Sequence, residues 1–408
     1  MRECAWLALI AVLSCGSDGT PSSPSTPAPA ELRIASGNGQ SAIAATAVTA
    51  PPTVVVTDSA GRPVPGVSVT FNVVRGGGWI VNGQAVTDAL GQASTAWYLG
   101  TTASEAQLLD ARAGALAVTF AASSLRPIAG ITVTGANGYV EWIPGDMPIV
   151  VTAPHGGTLL PTEIPDRTTG STTRDLNTDE LAQEVVSAFV ARFGKRPHLI
   201  VCKLHRRKLD ANREVVEAAA GNPVAERAWR EYHGFIEASA NDVRRGPGMG
   251  FYVDLHGHGH DIQRLELGYL VSAAKLGLTD QQLALDLTMM SSALWPIAST
   301  SGASFPAVLR GSNSLGAYLE AAGFPSVPSP TTPSPGNNPY FEGGYSTERH
   351  GTSTDRRFAG VQIEANLDGV RDTPASRSVF ATALVSALDS FLRAHGIPLS
   401  NAALRKTG

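Results

Sequence analysis

The sequence predicts a chain of two folded parts, a β-sandwich followed by an α/β domain whose sheet is covered on both faces. Residues 31–125 contain short runs in which apolar and polar residues alternate, with almost no helical pattern. Residues 127–400 instead combine continuous apolar strands with amphipathic helices, which is typical of a sheet between two helical layers. A length of 408 residues leaves room for both parts.

Composition excludes one class of partner. Charged residues make up 16% of the chain and the formal net charge is -4, so we expect no basic field and no nucleic-acid binding. The 42 glycines and 27 prolines are spread along the chain, which indicates many turns rather than a fibrous repeat.

Residues 1–15 are typical of a signal peptide. An apolar run from Cys4 to Leu13 is long enough for export and too short to span a bilayer. The run ends at Val12-Leu-Ser-Cys15-Gly, which resembles the lipobox of bacterial lipoproteins and implies lipidation of Cys15, a membrane anchor and a place in the cell envelope. The alternative is an ordinary signal peptide that is cut near the same place. Residues 16–30, rich in proline and serine, form the predicted tether.

In residues 31–125, Val67, Val69, Phe71 and Val73 follow the period of two that a strand requires. Turn signals follow at Asp58-Ser-Ala-Gly61 and Asp88-Ala-Leu-Gly91. The segment resembles the bacterial Ig-like domains of intimin and invasin, which implies a spacer or stalk, or less commonly an adhesive tip.

In residues 127–400, helical spacing predicts a helix over 179–193 that stops at Gly194, and a second helix that opens at Pro374. Apolar strands are predicted at 149–152, 199–202, 251–255 and 361–363. Cys202 lies in one of them, so we expect a buried core thiol rather than a nucleophile.

Three of these strands end in residues that bind metals or move protons: His155, His256 and Glu364. Open α/β sheets place their sites at such strand ends. A catalytic zinc needs three protein ligands and one open position, and His155 and His256 supply two. The third ligand is expected in the first turn of the next helix, where Asp179 and Glu180 compete. Glu180 also fits a structural role, as part of a capping box.

Six motifs together resemble the N-formylglutamate amidohydrolases, zinc hydrolases related to carboxypeptidase A. They are Pro154-His-Gly-Gly157, Asp179-Glu-Leu181, His205-Arg-Arg-Lys-Leu-Asp-Ala-Asn-Arg213, Asp254-Leu-His-Gly257, Gly343-Gly-Tyr345 and Gln362-Ile-Glu364. The resemblance implies a three-layer αβα fold with a mostly parallel mixed sheet. It also implies one Zn²⁺ per chain and Glu364 as the general base.

The same motifs contain candidates for substrate binding. Arg213 with Asn212 suits a substrate carboxylate, because a guanidinium can donate two parallel hydrogen bonds to it. Arg206 suits either the carboxylate or the oxyanion, although it also belongs to a short basic run. Tyr345 lies where a loop facing the substrate is expected.

Several neighbouring residues keep two interpretations. Asp254 either orients His256 or caps a strand end. His258 and His260 either support the ligands or are ordinary polar loop residues.

The sequence therefore predicts a zinc-dependent hydrolase that cleaves an amide bond, using metal-activated water and a glutamate base. In the N-formylglutamate amidohydrolase family, hydrolysis takes place in the cytoplasm. This chain instead carries a predicted export signal and an Ig-like segment. We therefore expect an N-acyl amino acid or a small peptide with a free carboxylate as substrate. The alternatives are a cell-envelope peptidase that acts on peptidoglycan peptides, and a surface-binding lipoprotein without catalysis.

Overall fold

The computed structural model describes residues 28–246, 248–352 and 356–399. The predicted signal peptide, its lipidation residue Cys15 and all of the predicted tether before residue 28 lie outside the described residues. Within the described ranges, no helix is both long and apolar enough to cross a membrane.

The N-terminal part, residues 31–125, is built from strands. These are β1 (Glu31–Ser36), β2 (Gln40–Ile43), β3 (Thr53–Thr57), β4 (Ser68–Arg75), β5 (Trp79–Ile80), β6 (Gln84–Val86), β7 (Gln92–Ser94), β8 (Trp97–Tyr98), β9 (Ala106–Ala113) and β10 (Leu116–Leu125). One sheet has the order β1-β3-β7 and a larger one the order β2-β10-β9-β4-β6, with β5 and β8 forming a separate pair. The strand-rich, Ig-like character that the sequence predicts is confirmed.

Strand alternation builds the core of this part. In β4, Val69 and Phe71 are buried while Ser68 and Thr70 are exposed. The inward side chains of the three-stranded sheet and the five-stranded sheet belong to one apolar cluster, and Phe120 of β10 is fully buried in it. The period of two that the sequence shows is therefore the period with which side chains enter the core.

Aspartates close both turns that the sequence predicts here. Asp58 and Asp88 each accept, through Oδ1, backbone N–H bonds of 2.9 Å from the residues two and four positions later. The second turn requires glycine at position 91, where φ is +70° and a Cβ would lie 2.6 Å from the carbonyl oxygen of Val56.

The second part contains an eight-stranded mixed sheet. Its strands are β11 (Val133–Thr134), β12 (Val140–Ile143), β13 (Ile149–Ala153), β14 (His198–Cys202), β15 (Gly250–Gly257), β16 (Leu265–Gly268), β17 (Ser326–Val327) and β18 (Phe358–Ala365). The order is β11-β12-β14-β13-β15-β18-β16-β17. The four central strands are parallel, whereas β12 and β16 run antiparallel to their inner neighbours.

Helices cover both faces of this sheet. They are α1 (Thr178–Phe193), α2 (Val215–Ala219), α3 (Pro223–Arg244), α4 (Ala273–Leu276), α5 (Asp280–Leu285), α6 (Trp295–Ser301), α7 (Phe305–Arg310), α8 (Leu315–Ala321), α9 (Tyr345–His350) and α10 (Pro374–Ala394). On β13, Val151 joins the core beneath α1 and α10, and its neighbour Val150 joins the core beneath α3. The predicted mixed α/β domain is thus confirmed.

The predicted elements of this domain occur close to their expected bounds. Helix α1 ends at Gly194, which adopts a left-handed conformation as the stop signal predicts. Helix α10 opens at Pro374, with the Thr373 side chain accepting a hydrogen bond from the helix. Cys202 is a buried free thiol, and burial raises its pKa to about 12.

The two parts contact each other along α3. Tyr98 of β8 donates a 3.1 Å hydrogen bond to Glu231, and Asn241 donates a 3.0 Å bond to Thr101. Glu231 is 2% exposed, and its burial raises its pKa. Side-chain contacts therefore join the Ig-like part to the α/β domain.

Candidate metal centre

The polar residues predicted at three strand ends share one edge of the sheet. His155 follows β13, His256 lies at the end of β15 and Glu364 lies at the end of β18. These strands are parallel neighbours, and His256 pairs in register with Glu364. A cavity of 590 Å³ opens at this edge, with His256 and Glu364 in its wall.

Strand alternation explains which side chains face one another. Asp254 and His256 are two residues apart on β15 and so point to one side of the sheet, as Gln362 and Glu364 do on β18. The intervening Leu255 points to the other side, into the core beneath α1 and α10. Each strand thus supplies two functional groups to the same face.

Three ligand atoms meet beneath the cavity. Nδ1 of His155 and Nδ1 of His256 each lie 3.3 Å from Oδ2 of Asp175. The three side chains are buried, and their ligand atoms lie within 4.8 Å of one another. Asp175 is in the loop before α1, where its N–H donates to the carbonyl oxygen of His155.

The structure differs here from the expectation for Asp179 and Glu180. Asp179 is buried in the first turn of α1, with Oδ2 3.8 Å from Lys203, and Glu180 is exposed. Asp179 packs so closely on Gly156 that a Cβ there would lie 2.1 Å from its Oδ1. The chain reaches both histidines in the loop before α1, one turn earlier than expected, so Asp175 takes the place beside them.

The capping role considered for Glu180 is not found either. Asn177, the residue before α1, has a left-handed backbone and its side chain accepts no hydrogen bond from the helix. Its Nδ2 donates instead to the carbonyl oxygen of Arg371.

A carboxylate contacts Nε2 of each histidine, the ring nitrogen that faces away from Asp175. Nε2 of His155 lies 2.7 Å from Asp210, and Nε2 of His256 lies 3.0 Å from Asp254. Thr152 donates to Asp254 in turn, at 2.6 Å. The orienting contact considered for Asp254 is therefore present, and Asp210 makes an equivalent contact. Carboxylates in this position fix the ring and its tautomer in metal sites.

This arrangement fits a bound cation. When each imidazole donates its Nε2 hydrogen to a carboxylate, the Nδ1 lone pair faces inward. Lone pairs of His155 and His256 then point at the carboxylate oxygen of Asp175, which is repulsive unless positive charge lies between them. Two imidazole nitrogens and one carboxylate oxygen form a donor set that Zn²⁺ prefers.

The pKa values reflect the same concentration of charge. Burial alone raises the pKa of Asp175, yet His155 and His256 together hold it well below its ordinary value. Burial alone lowers the pKa of His256, but Asp254 and Asp175 raise it well above the ordinary value. Without a cation, a proton on the His256 ring therefore supplies positive charge.

Glu364 occupies a different electrostatic position. It is 5% exposed, and burial raises its pKa to about 7, partly opposed by His256. Its Oε1 accepts a 2.9 Å hydrogen bond from Gln362 and lies 3.9 Å from Nδ1 of His256. The carboxyl group stands beside the three ligand atoms without being one of them.

The residues predicted to bind substrate occupy different places in the structure. Arg206 lies 3.5 Å from Asp175 and 3.0 Å from Asp210, so its charge stabilises the carboxylates around the histidines. Asn212 belongs to the centre itself, with Nδ2 3.4 Å from His256. Arg213 is in the cavity wall, partly exposed and paired with Glu217 at 3.2 Å.

Tyr345 lies outside this cavity. It begins α9 and borders an adjacent surface pocket, where its hydroxyl accepts a hydrogen bond from Arg349. The Gly343-Gly344 segment before it lines the cavity instead, and Gly344 N–H donates to Gln362.

The sequence pattern identifies neither Asp175 nor Arg174 as a site residue, and it does not pair Asp210 with His155. Arg174 lines the cavity, donates to the carbonyl oxygen of Gly156 and makes no ion pair within the described ranges. The available signal is an Arg174-Asp175 pair a few residues ahead of the helix predicted over 179–193, but loop residues carry no periodicity that marks them.

Comparisons with known proteins identify no family. No family model matches the sequence, and no curated protein matches it significantly. The structure of gene product Atu2144 from Agrobacterium tumefaciens aligns over 63% of this chain and 96% of its own, with 12% identity and a TM-score of 0.37.

Two further solved structures resemble a smaller share of the chain. The D00-D0 domain of intimin aligns over 24% of this chain and 46% of its own, with 17% identity and a TM-score of 0.19. Invasin, a bacterial integrin-binding protein, aligns over 30% and 23%, with 20% identity and a TM-score of 0.20. The chain thus spans less than half of either structure. At these TM-scores the likenesses assign no function.

Proposed function

We propose that residues 127–400 form a zinc-dependent hydrolase that cleaves an amide bond in a small substrate with a free carboxylate. The observation that supports this most is the convergence of Nδ1 of His155, Oδ2 of Asp175 and Nδ1 of His256, with both Nε2 atoms committed to carboxylates. These three residues would hold one Zn²⁺ per chain. When bound, such an ion supplies Lewis acidity and makes water a nucleophile near neutral pH.

Glu364 is the proposed general base. A base must stand within reach of the attacking water without being a metal ligand. The position of its carboxylate, beside His256 and in the cavity wall, meets this requirement. Gln362 holds Oε1 by a 2.9 Å hydrogen bond, so the carboxylate keeps one orientation while it takes a proton from water.

Arg174 and Arg213 are the proposed anchors for the substrate carboxylate. Both guanidinium groups line the cavity, and Arg213 is partly exposed and pairs with one exposed carboxylate, whereas Arg206 is largely buried between two. This supports a substrate such as an N-acyl amino acid or a short peptide. A peptide from peptidoglycan has the same chemical groups and is the second candidate.

A binding lipoprotein without catalysis is the competing class. Such a protein has no need for a complete donor set or for a base beside it. The described residues hold both, which favours the enzyme.

The test uses purified full-length protein loaded with Zn²⁺ and a panel of N-acyl amino acids and muropeptides. Glu364→Gln should retain zinc and lose two to four orders of magnitude in kcat, the usual scale of acid–base catalysis. Glu180→Gln, an exposed residue one turn beyond Asp175, is the matched control and should keep both zinc and activity. Wild-type protein that binds zinc and cleaves no member of the panel would contradict the proposal.

We also propose that the chain is exported and anchored through a lipid on Cys15, because the leader resembles a lipoprotein signal. Wild-type protein should then sediment with membranes, and Cys15→Ala should lose the anchor or remain uncleaved. Wild-type protein found entirely in a soluble fraction would refute the anchor.

A further inference from the structure

A second group of titratable side chains lies in the same cavity and has no role in the proposed chemistry so far. His260 is in the cavity wall, four residues beyond His256. Its Nδ1 lies 2.9 Å from Oε1 of Glu266 on β16. Glu266 is fully buried and accepts a second hydrogen bond, of 2.8 Å, from the N–H of Phe341.

The fold places this pair beside the proposed base. Glu266 pairs in register with Glu364 across β16 and β18, and Glu364 pairs with His256 across β18 and β15. Directly opposed residues on antiparallel strands, such as Glu266 and Glu364, have Cβ atoms about 4.5–5.5 Å apart, and neighbouring strands in general lie about 4.7–4.9 Å apart. The three side chains therefore form one row across the sheet, and His260, from the loop after β15, contacts Glu266 at one end of it.

The His260 ring has one orientation. It stacks on Phe341 with a centroid distance of 4.9 Å and an interplanar angle of 11°, and Glu266 holds Nδ1. Phe341 also lines the cavity. Within the described ranges, Nε2 of His260 makes no hydrogen bond, and the side chain is 22% exposed. Nε2 is thus the ring atom left free to exchange a proton with a molecule in the cavity.

A second metal ion is a poorer interpretation of this group, although His258, His260 and Glu266 lie close enough together. Both ring nitrogens of His258 are engaged, Nε2 with the carbonyl oxygen of Arg264 at 2.8 Å and Nδ1 with the N–H of His260 at 3.1 Å. The Arg264 guanidinium also lies 3.9 Å from Oε1 of Glu266, so a cation already accompanies that carboxylate.

We propose that His260 donates a proton from Nε2 to the leaving amine nitrogen, with Glu266 as its positioning residue. The inference rests on the proposed amide hydrolysis and adds a second proton-transfer group to it. Water gives one proton to Glu364 and its oxygen forms the new bond to the acyl carbon. The carbon–nitrogen bond breaks and the nitrogen takes the His260 proton, so an amine leaves. Exchange with solvent then returns a proton to His260 and removes one from Glu364.

The test compares two substrates that share an acyl group and differ in the leaving group. An alkyl amide needs a proton on its nitrogen to depart, whereas an activated phenyl ester does not. In the zinc-loaded full-length protein, His260→Gln should lower kcat for the amide by about 100-fold or more. It should lower kcat for the ester by less than about fivefold, and KM should change little. Glu266→Gln should show the same selectivity with a smaller loss.

Two controls separate the possible failures. His395→Gln, whose ring lies away from the cavity against Asn313, should leave both rates unchanged. Zinc per chain, measured by elemental analysis, should stay at one in the His260 variant. Equal losses on both substrates would overturn the inference and assign His260 to binding or structure, and loss of a second metal ion would overturn it in favour of a metal site. Wild-type protein inactive on both substrates would overturn the proposed function, and this inference with it.

Discussion

Asp179, one of the two residues expected as the third ligand, has a buried environment that can be tested quantitatively. The carboxyl group is 6% exposed, its Oδ1 has no hydrogen-bond partner within the described ranges, and Lys203 is 3.8 Å away. Burial raises its pKa from an ordinary 3.8 to about 7, partly opposed by Lys203. The folded protein therefore holds this proton over a pH range in which the unfolded chain has lost it.

The sign of the effect on stability follows from this difference. A raised pKa in the folded state stabilises the protein fully below pH 3.8, and the stabilisation is lost as the pH rises through about 7. A difference of about three pH units at 1.36 kcal/mol per unit amounts to about 4 kcal/mol, of which about 3 kcal/mol falls between pH 5 and pH 8. Asp179→Asn has no proton to lose at this position. Its unfolding free energy should therefore rise by this amount relative to that of wild type over the same pH interval.

The assay is urea unfolding of chelator-treated wild type and Asp179→Asn at pH 5, 6, 7 and 8. The difference in unfolding free energy, variant minus wild type, should rise by about 3 kcal/mol between the first and last pH. In a chain that keeps Asp179, Lys203→Met removes the cation that opposes the rise in the Asp179 pKa. The unfolding free energy of this variant should therefore fall more than that of wild type between pH 5 and pH 8. A difference that is constant with pH would refute the account, because Asp179 would then titrate at its ordinary pKa.

Three further substitutions test a carboxylate beside a histidine, a cavity arginine and the Ig-like core. Asp210→Asn weakens the support of a metal-binding ring and should lower zinc affinity by about 10–100-fold in calorimetry. Arg213→Lys keeps the charge but loses the planar fork, and should weaken a carboxylate substrate by about 1.5–3 kcal/mol, measured as KM with kcat retained. Phe120→Ala opens a cavity in the Ig-like core, and thermal unfolding should show that part destabilised by about 3–5 kcal/mol with zinc binding unchanged. In these three cases, wild-type affinity, wild-type KM and wild-type stability respectively would contradict the reasoning.

The features that the sequence predicts well are local ones. The α1 helix and its stop at Gly194 follow from spacing along one element. His256 and Glu364 could be placed at one edge because parallel strands end on the same side of a sheet. Asp254 could be paired with His256 because alternation puts residues two apart on one face.

The position of Asp175 beside His155 and His256 depends on a loop path that no local sequence pattern records. Asp175 is twenty residues after His155, and a loop without periodic spacing returns it to the histidine. The sequence favours Asp179 or Glu180 because helix starts are visible in a sequence and loop paths are not. Arg206 took a different role for a similar reason. Its two carboxylate partners come from separate loops, so the negative charge it neutralises appears only after folding.

We propose that His155, Asp175 and His256 bind one divalent cation. Calorimetric titration of Zn²⁺ into chelator-treated full-length protein tests it most directly, with Asp175→Asn and Asp179→Asn as matched variants four residues apart. The account predicts one tight site per chain in wild type and in Asp179→Asn, and loss of that site in Asp175→Asn. It also predicts that binding releases protons, because the cation replaces the proton that the carboxylates hold on His256. Tight binding retained by Asp175→Asn, or lost in Asp179→Asn, would contradict it.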